Sequence, residues 1–242
     1  MLGKALYRRN RKKVEKVIPG SQTFSSNGTF VVPYETALYS ITIVAGARAS
    51  GRGGDGGDGG GEIDFPSMSV YAGGGGGGGG GTSNNFRVST NTFSLTKGQS
   101  ISITCNYSLV SFGSYISVST GTAARDGTDG QYGTGTPGDG GSGEGSHSIS
   151  TSLGYSTSGT NSGSSGRNGS TSSGPQETSY GYYLPSGTGG RGGSLGGGAG
   201  GDGGDCELNL NVFQVYGGNG ERGSAGSYSN RNGSITISWV AP

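Results

Sequence analysis

The sequence predicts an all-β fold in which an antiparallel β-sandwich base carries packed polyglycine-II helices and long Gly/Ser/Thr loops. Three observations predict it. Nine consecutive glycines fill residues 73–81, and glycine-rich relatives lie at 53–61 and 189–205. In those relatives the other residues keep a spacing of three, as in Asp55 and Asp58, Arg191 and Ser194, or Ala199, Asp202 and Asp205. Segments that alternate with a period of two, the pattern of half-buried strands, flank the runs on both sides.

A glycine run makes a poor α-helix or strand, because glycine loses the most backbone entropy on ordering and brings no side chain to bury. A period of three is that of the polyproline-II helix, which has no internal hydrogen bonds. With two glycines in three, two faces of such a helix are bare backbone, free to pack on neighbours and exchange N–H and C=O bonds with them. At about 3.1 Å per residue, a run of this length spans roughly 28 Å. A flexible glycine linker is the competing reading, and the retained phase of the non-glycine residues opposes it.

The chain divides into residues 1–18, a basic arm, and residues 19–242, a glycine-rich β domain. The arm places Leu2, Leu6, Val14, Val17 and Ile18 at spacings compatible with one stripe of a helix. Around them stand Tyr7 and the basic Lys4, Arg8, Arg9, Arg11, Lys12, Lys13 and Lys16, which against Glu15 give the arm a net +6 in a chain whose total is +1. Such a split marks an arm that contacts an acidic partner or nucleic acid. With Tyr7 as its one aromatic and no recognisable nucleic-acid module, a docking arm is the better reading, and Leu2, Leu6, Tyr7, Arg8, Arg9, Arg11, Lys12 and Lys13 are its candidate contacts.

Strands are expected at 22–24 and 29–32, joined as a hairpin across the turn-rich 25–28, with Pro33 ending the second. The alternating 37–45 follows and leads into the first glycine run. After a connection at 62–71 with Ile63 and Phe65 as its apolar patch, strands are expected at 85–89, 92–95, 100–105 and 115–119, with Lys97-Gly98 as a turn. The tail offers 207–216 and 233–240, and the first and last strands are expected to meet. Residues 121–188 differ, being a long Gly/Ser/Thr loop region punctuated by Tyr132, Tyr155, Tyr180, Tyr182 and Tyr183, the last beside Leu184. Rigid aromatics on a small polar background suit a binding surface. They suit equally well as local packing over the ends of glycine helices.

Composition excludes several classes. With 58 Gly and only 28% hydrophobic residues, the chain resembles a disordered one, but that rule presumes a side-chain core. Cys105 and Cys206 make neither a disulfide framework nor a metal set, and are read as buried thiols with pairing as the alternative. The single histidine, His147, leaves Ser-His-Asp and Cys-His chemistries without a scaffold. No enzyme activity, metal or cofactor is therefore expected. Asp55 and Asp58, or Asp202 and Asp205, lack the apolar position of a calcium-binding nonapeptide repeat. The apolar stretches before Arg8 are too short for a signal peptide, and no segment is long enough to span a membrane.

Three features resemble the glycine-rich domain of tailed-phage tail-fibre and adhesin proteins. They are Phe30-Val31-Val32-Pro33 leading into an alternating strand and a glycine run, Gly98-Gln99-Ser100-Ile101-Ser102-Ile103, and the closing 233–239 with Trp239. The resemblance covers roughly residues 20–242 and implies a virion protein on the exterior of the particle. It further implies a rigid glycine-helix body whose distal loops contact a host receptor, a bacterial surface glycan or an outer-membrane protein. Tyr132, Tyr155, Tyr180, Tyr182, Tyr183 and Leu184 are then the candidate receptor contacts, and residues 1–18 plug into another virion structural protein. A purely architectural head-fibre or capsid-decoration protein is the alternative.

Overall fold

The computed structural model describes residues 15–64, 67–131, 136–171, 173, 176–179 and 181–242. The candidate arm contacts, Phe65, Tyr132 and Tyr180 lie outside the described residues. The fold is all-β, with sixteen strands and no helix among the described residues. In chain order they are β1 (Gly20–Phe24), β2 (Gly28–Val31), β3 (Leu38–Val44), β4 (Gly60–Asp64), β5 (Ser67–Tyr71), β6 (Asn84–Thr90), β7 (Ser100–Cys105) and β8 (Leu109–Phe112). There follow β9 (Ile116–Ser119), β10 (Ser148–Thr151), β11 (Tyr155–Thr160), β12 (Gln176–Thr178), β13 (Gly181–Leu184), β14 (Cys206–Asn209), β15 (Gln214–Gly217) and β16 (Ser234–Val240).

Two five-stranded antiparallel sheets, ordered β1-β16-β3-β6-β11 and β10-β9-β8-β7-β2, form the base. Alternation puts one face of the central strands inside: Tyr39, Ile41 and Ile43 of β3 are fully buried, as are Ile235 and Ile237 of β16. Both sheets contribute to one apolar cluster, with Phe30, Phe112 and Val118 from the second sheet. The tilted pair Phe30–Trp239 and the edge-on pair Phe30–Tyr39, with centroids 6.0 and 6.3 Å apart, tie the sheets together.

The first and last strands do meet, Gly20 opposite Trp239 through Phe24 opposite Ile235. The expected hairpin of the first two strands does not form. β1 pairs β16 while β2 pairs β7, because the turn at 25–27 carries the chain from one sheet to the other. Asn27 fixes that turn, its side-chain oxygen accepting the Cys105 N–H at 2.9 Å. The expected strand at 92–95 is reduced to a single bridge between Phe93 and Tyr39. Conversely, the connection at 62–71 proves to be part of the hairpin β4–β5, and β8 was not anticipated. Cys105 is buried in the base, whereas Cys206 is buried in a separate small cluster with Ala72 and Leu184.

Between base strands the chain makes repeated excursions through glycine-rich segments that are neither helix nor strand. Residues 73–81 are buried throughout and form their centre. Their N–H groups donate in strict rotation to three neighbours: Gly73, Gly76 and Gly79 to the carbonyls of Gly204, Gly201 and Gly198, Gly77 and Gly80 to those of Thr128 and Arg125, and Gly75, Gly78 and Gly81 to those of Ser170, Arg167 and Ser164. Their carbonyls accept in the same rotation from Gly187, Gly190 and Gly193, from Gly57, Gly54 and Gly51, and from Gly138, Gly141 and Glu144. The central segment is thus bonded to six surrounding segments, and a further one, 218–224, bonds to the outer side of 53–59.

Where an outer segment has no backbone neighbour, a side chain from the next segment takes its N–H. Asp126 accepts from Arg52, Asp129 from Asp55, Asp58 from Gly220 and Asp202 from Gly189, at 2.6–2.7 Å. Ser224, Ser170 and Thr128 do the same for Ala199, Thr188 and Asp139 at 2.6 Å. The period-three aspartates Asp55, Asp58, Asp202 and Asp205 are therefore edge caps. Asp202→Ala is expected to lower stability by about 1 kcal/mol, the net worth of one such bond, with Asp202→Asn closer to wild type because it keeps an acceptor. Thermal melts of the two variants check this.

Candidate functional site

The hydrogen-bond register orders the molecule along an axis. Residues 51, 81, 125, 144 and 224 end their segments beside the base strands that adjoin them and 193 ends at the same level in a turn to 197, while 59, 73, 131, 138, 170, 187, 204 and 218 end at the opposite, distal face. Among the described residues, the strands that connect segments at that face form an apex. It comprises the hairpin β4–β5 and a four-stranded sheet ordered β12-β13-β14-β15.

The sequence predicts one strand over 207–216, but the structure breaks it into the hairpin β14–β15. Asn209 is the reason: its side-chain oxygen accepts the Asn211 N–H at 3.0 Å, the bond of an Asx turn. Phe213 completes the turn at φ 49°, in the left-handed region where a non-glycine side chain is strained by about 1–2 kcal/mol. The turn turns apolar groups outward. Val212 is 58% exposed, Phe213 55% and Tyr216 48%, with Tyr182 of β13 and Tyr71 of β5 also exposed at the same end of the molecule.

Of the sequence-predicted contacts, Tyr182 and Tyr183 reach this apex. Tyr183 is half-buried and its hydroxyl donates to Asp205. That bond, with the Ser186 N–H, holds the Asp205 carboxyl below its usual range, while the carboxylate pushes the Tyr183 phenol up. Tyr183 is thereby fixed in place. Leu184 is buried inside the apex rather than on it. Tyr155 lies elsewhere, opposite Thr90 on edge strand β11, at the end of the base farthest from the apex. Sequence reasoning missed Val212, Phe213 and Tyr216, and the signal that could have found them is the Asn209-Leu210-Asn211 interruption of the strand pattern.

The opposite pole has its own features. The described chain begins there, with Glu15 paired to Lys97 and accepting the Glu35 N–H at 3.1 Å. The Lys97 ammonium and that N–H hold the Glu15 carboxyl below its usual range. Val17 packs on the core, and the Trp239 indole donates to the Ile18 carbonyl at 3.0 Å. Ile18, Val31 and Val240 leave exposed apolar surface around this exit point.

A buried carboxylate joins the base to the glycine layer. Glu144 is 1% exposed and accepts the Arg48 N–H at 2.8 Å, the Ser83 N–H at 2.7 Å and the Thr82 hydroxyl at 2.8 Å. Burial works to raise its pKa, but the hydrogen bonds from Ser83, Arg48 and Thr82 together leave it lowered. Nearby, His147 is stacked on Phe86, with Nδ1 2.7 Å from the Asn161 carbonyl and Nε2 2.9 Å from the Gly46 carbonyl. Both ring nitrogens are thus engaged by backbone. A cavity of about 130 Å³ between Thr82, Leu195, Tyr228 and Arg231 adjoins this junction. Among the described residues no group of three or more His, Cys, Asp or Glu is placed to hold a metal ion, and no helix is long and apolar enough to cross a membrane.

The chain matches no protein-family model, and no curated protein is similar to it.

Proposed function

We propose that this chain is a non-enzymatic structural protein of a bacteriophage virion, held on the particle by its N-terminal arm and binding a host surface receptor through its apex. The observation that carries the reading is the polarity of the fold. The chain leaves the base at Glu15, and the most exposed strained aromatic, Phe213, stands at the other end of a rigid layer. A strained exposed aromatic works against stability, and such a feature persists where it serves binding. The three sequence features shared with tail-fibre and adhesin glycine-rich domains point the same way. The layer reads as a bundle of polyglycine-II helices on a β-sandwich: the bonding repeats every three residues, and none of the nine central glycines takes a positive φ.

The test is binding of the fluorescently labelled full chain to a panel of bacterial cells beside a Val212→Ser, Phe213→Ser double variant. Saturable binding that the variant loses at least tenfold is the expected result. Equal binding by both proteins removes the apex from the reading, and a folded chain that binds no strain leaves the architectural alternative. Deleting residues 1–14 removes none of the described contacts of Glu15, Val17 or Ile18. The truncated chain is expected to melt as wild type does yet fail to be incorporated into particles, as scored by immunoblotting purified virions.

A further inference from the structure

Charge along the axis is strongly one-sided. The chain segments that build the distal end, 58–71, 176–186 and 204–218, hold six of the 15 acidic residues, Asp58, Glu62, Asp64, Glu177, Asp205 and Glu207, and none of the 16 basic ones. The arginines of the glycine layer stand away from the apex: Arg52 and Arg125 lie at the level of Gly80, Arg191 lies beside Arg167, and Arg222 lies between Glu221 and Ser224, whose carbonyls accept from Gly56 and Gly53. Two of the six distal acids are explained by the backbone, since Asp58 and Asp205 accept N–H bonds from Gly220 and Ser186. Capping explains neither the exposed Glu207 nor the lack of lysine and arginine in these segments.

We infer that the apex binds a protein surface in which lysines or arginines ring an apolar recess, so that Val212 and Phe213 enter the recess while the acidic surround pairs with its rim. The inference rests on the apex being the binding surface. Its physical basis is that complementary charge steers encounter and rejects like-charged partners, whereas the desolvated apolar contact retains the complex. An anionic glycan or a phosphate-bearing lipid surface would be repelled by a face with no cation to receive it. Neutral sugars would leave the charge without a use. A basic protein surface uses both features.

The experiment selects binders to the full chain from a displayed library of random peptides at 50 mM salt, then measures the selected peptides against wild type, Glu207→Gln, and Val212→Ser with Phe213→Ser. The expected outcome is enrichment of peptides that combine net positive charge with an aromatic or aliphatic residue. Their association rate should fall about tenfold between 50 and 500 mM salt, and several-fold in the glutamine variant at low salt. The serine variant should fail to retain them. Enriched peptides that depend on Val212 and Phe213 but carry no excess of positive charge overturn this inference and leave the apex reading standing. Peptides bound equally by the serine variant overturn the apex reading itself. No enrichment over the starting library counts against the inference outright.

Discussion

Gly77→Val is expected to abolish the folded state. A Cβ on Gly77 would lie 1.9 Å from the Asp139 carbonyl oxygen and 2.3 Å from its carbon. Both atoms are backbone, so no side chain can swing aside. The 138–144 segment that carries them is itself bonded elsewhere, Gly138 and Gly141 donating to Gly75 and Gly78 and accepting from Gly169 and Gly166. Moving it far enough to admit a methyl group breaks several of these bonds together. Each buried group left unpaired costs about 1–3 kcal/mol, and a domain's whole stability is about 5–15 kcal/mol, so a few are enough. Because the clash begins at Cβ, Gly77→Ala should fail in the same way. Gly98→Ala is the control: at φ +79° with nothing within 4 Å of a built Cβ, it meets no neighbour and should cost only about 1–2 kcal/mol of backbone strain. Circular-dichroism melts of the purified variants decide the matter. Gly77→Ala melting within a few degrees of wild type would refute a close-packed backbone layer.

The same packing explains how much of the fold the sequence displayed. Base strands such as 100–105 and 233–240 were legible because alternation reports a side-chain core directly. The glycine layer was legible only where glycine was dense. Residues 73–81, bonded on all sides, are all glycine, and segments such as 51–59 and 197–204 carry two glycines in three. The outer segments 125–131 and 163–170 need glycine only where they face inward, at Gly127 and Gly130 or at Gly163, Gly166 and Gly169, and their remaining positions are Arg, Asp, Asn, Gln, Ser or Thr. Composition alone reads such a stretch as a loop, yet its phase of three had the same meaning as in the denser runs. The candidate contacts were harder to find. Tyr182 and Tyr155 look alike in sequence but stand at opposite ends of the molecule, because only the pairing of β11 with β6 and of β13 with β14 assigns each its pole. Phe213 was hidden by the assumption of a continuous strand, under which it would have been one more alternating residue.

Glu144→Ala is expected to cost on the order of 3–5 kcal/mol, because it leaves the Arg48 and Ser83 N–H groups and the Thr82 hydroxyl facing an apolar gap. Those three groups sit where β3 enters the layer and where the central run leaves it, so their loss loosens the joint between base and layer rather than either part alone. Glu144→Gln keeps the shape and one acceptor but turns an amide N–H₂ toward a donor, and should cost about 2 kcal/mol. Protonation of the wild-type carboxyl produces a similar mismatch. The Glu144 pKa is lowered in the fold from an ordinary 4.5. Its stabilisation is therefore fully present above that ordinary value and is lost as pH falls through the lower folded one. Melting temperatures of wild type and Glu144→Gln measured from pH 7 down to pH 3 should differ by a constant amount until pH approaches 4.5 and then converge. Parallel curves down to pH 3 would show that the carboxylate's charge is not what holds the joint, and a variant as stable as wild type at pH 7 would show that Arg48, Thr82 and Ser83 find other partners.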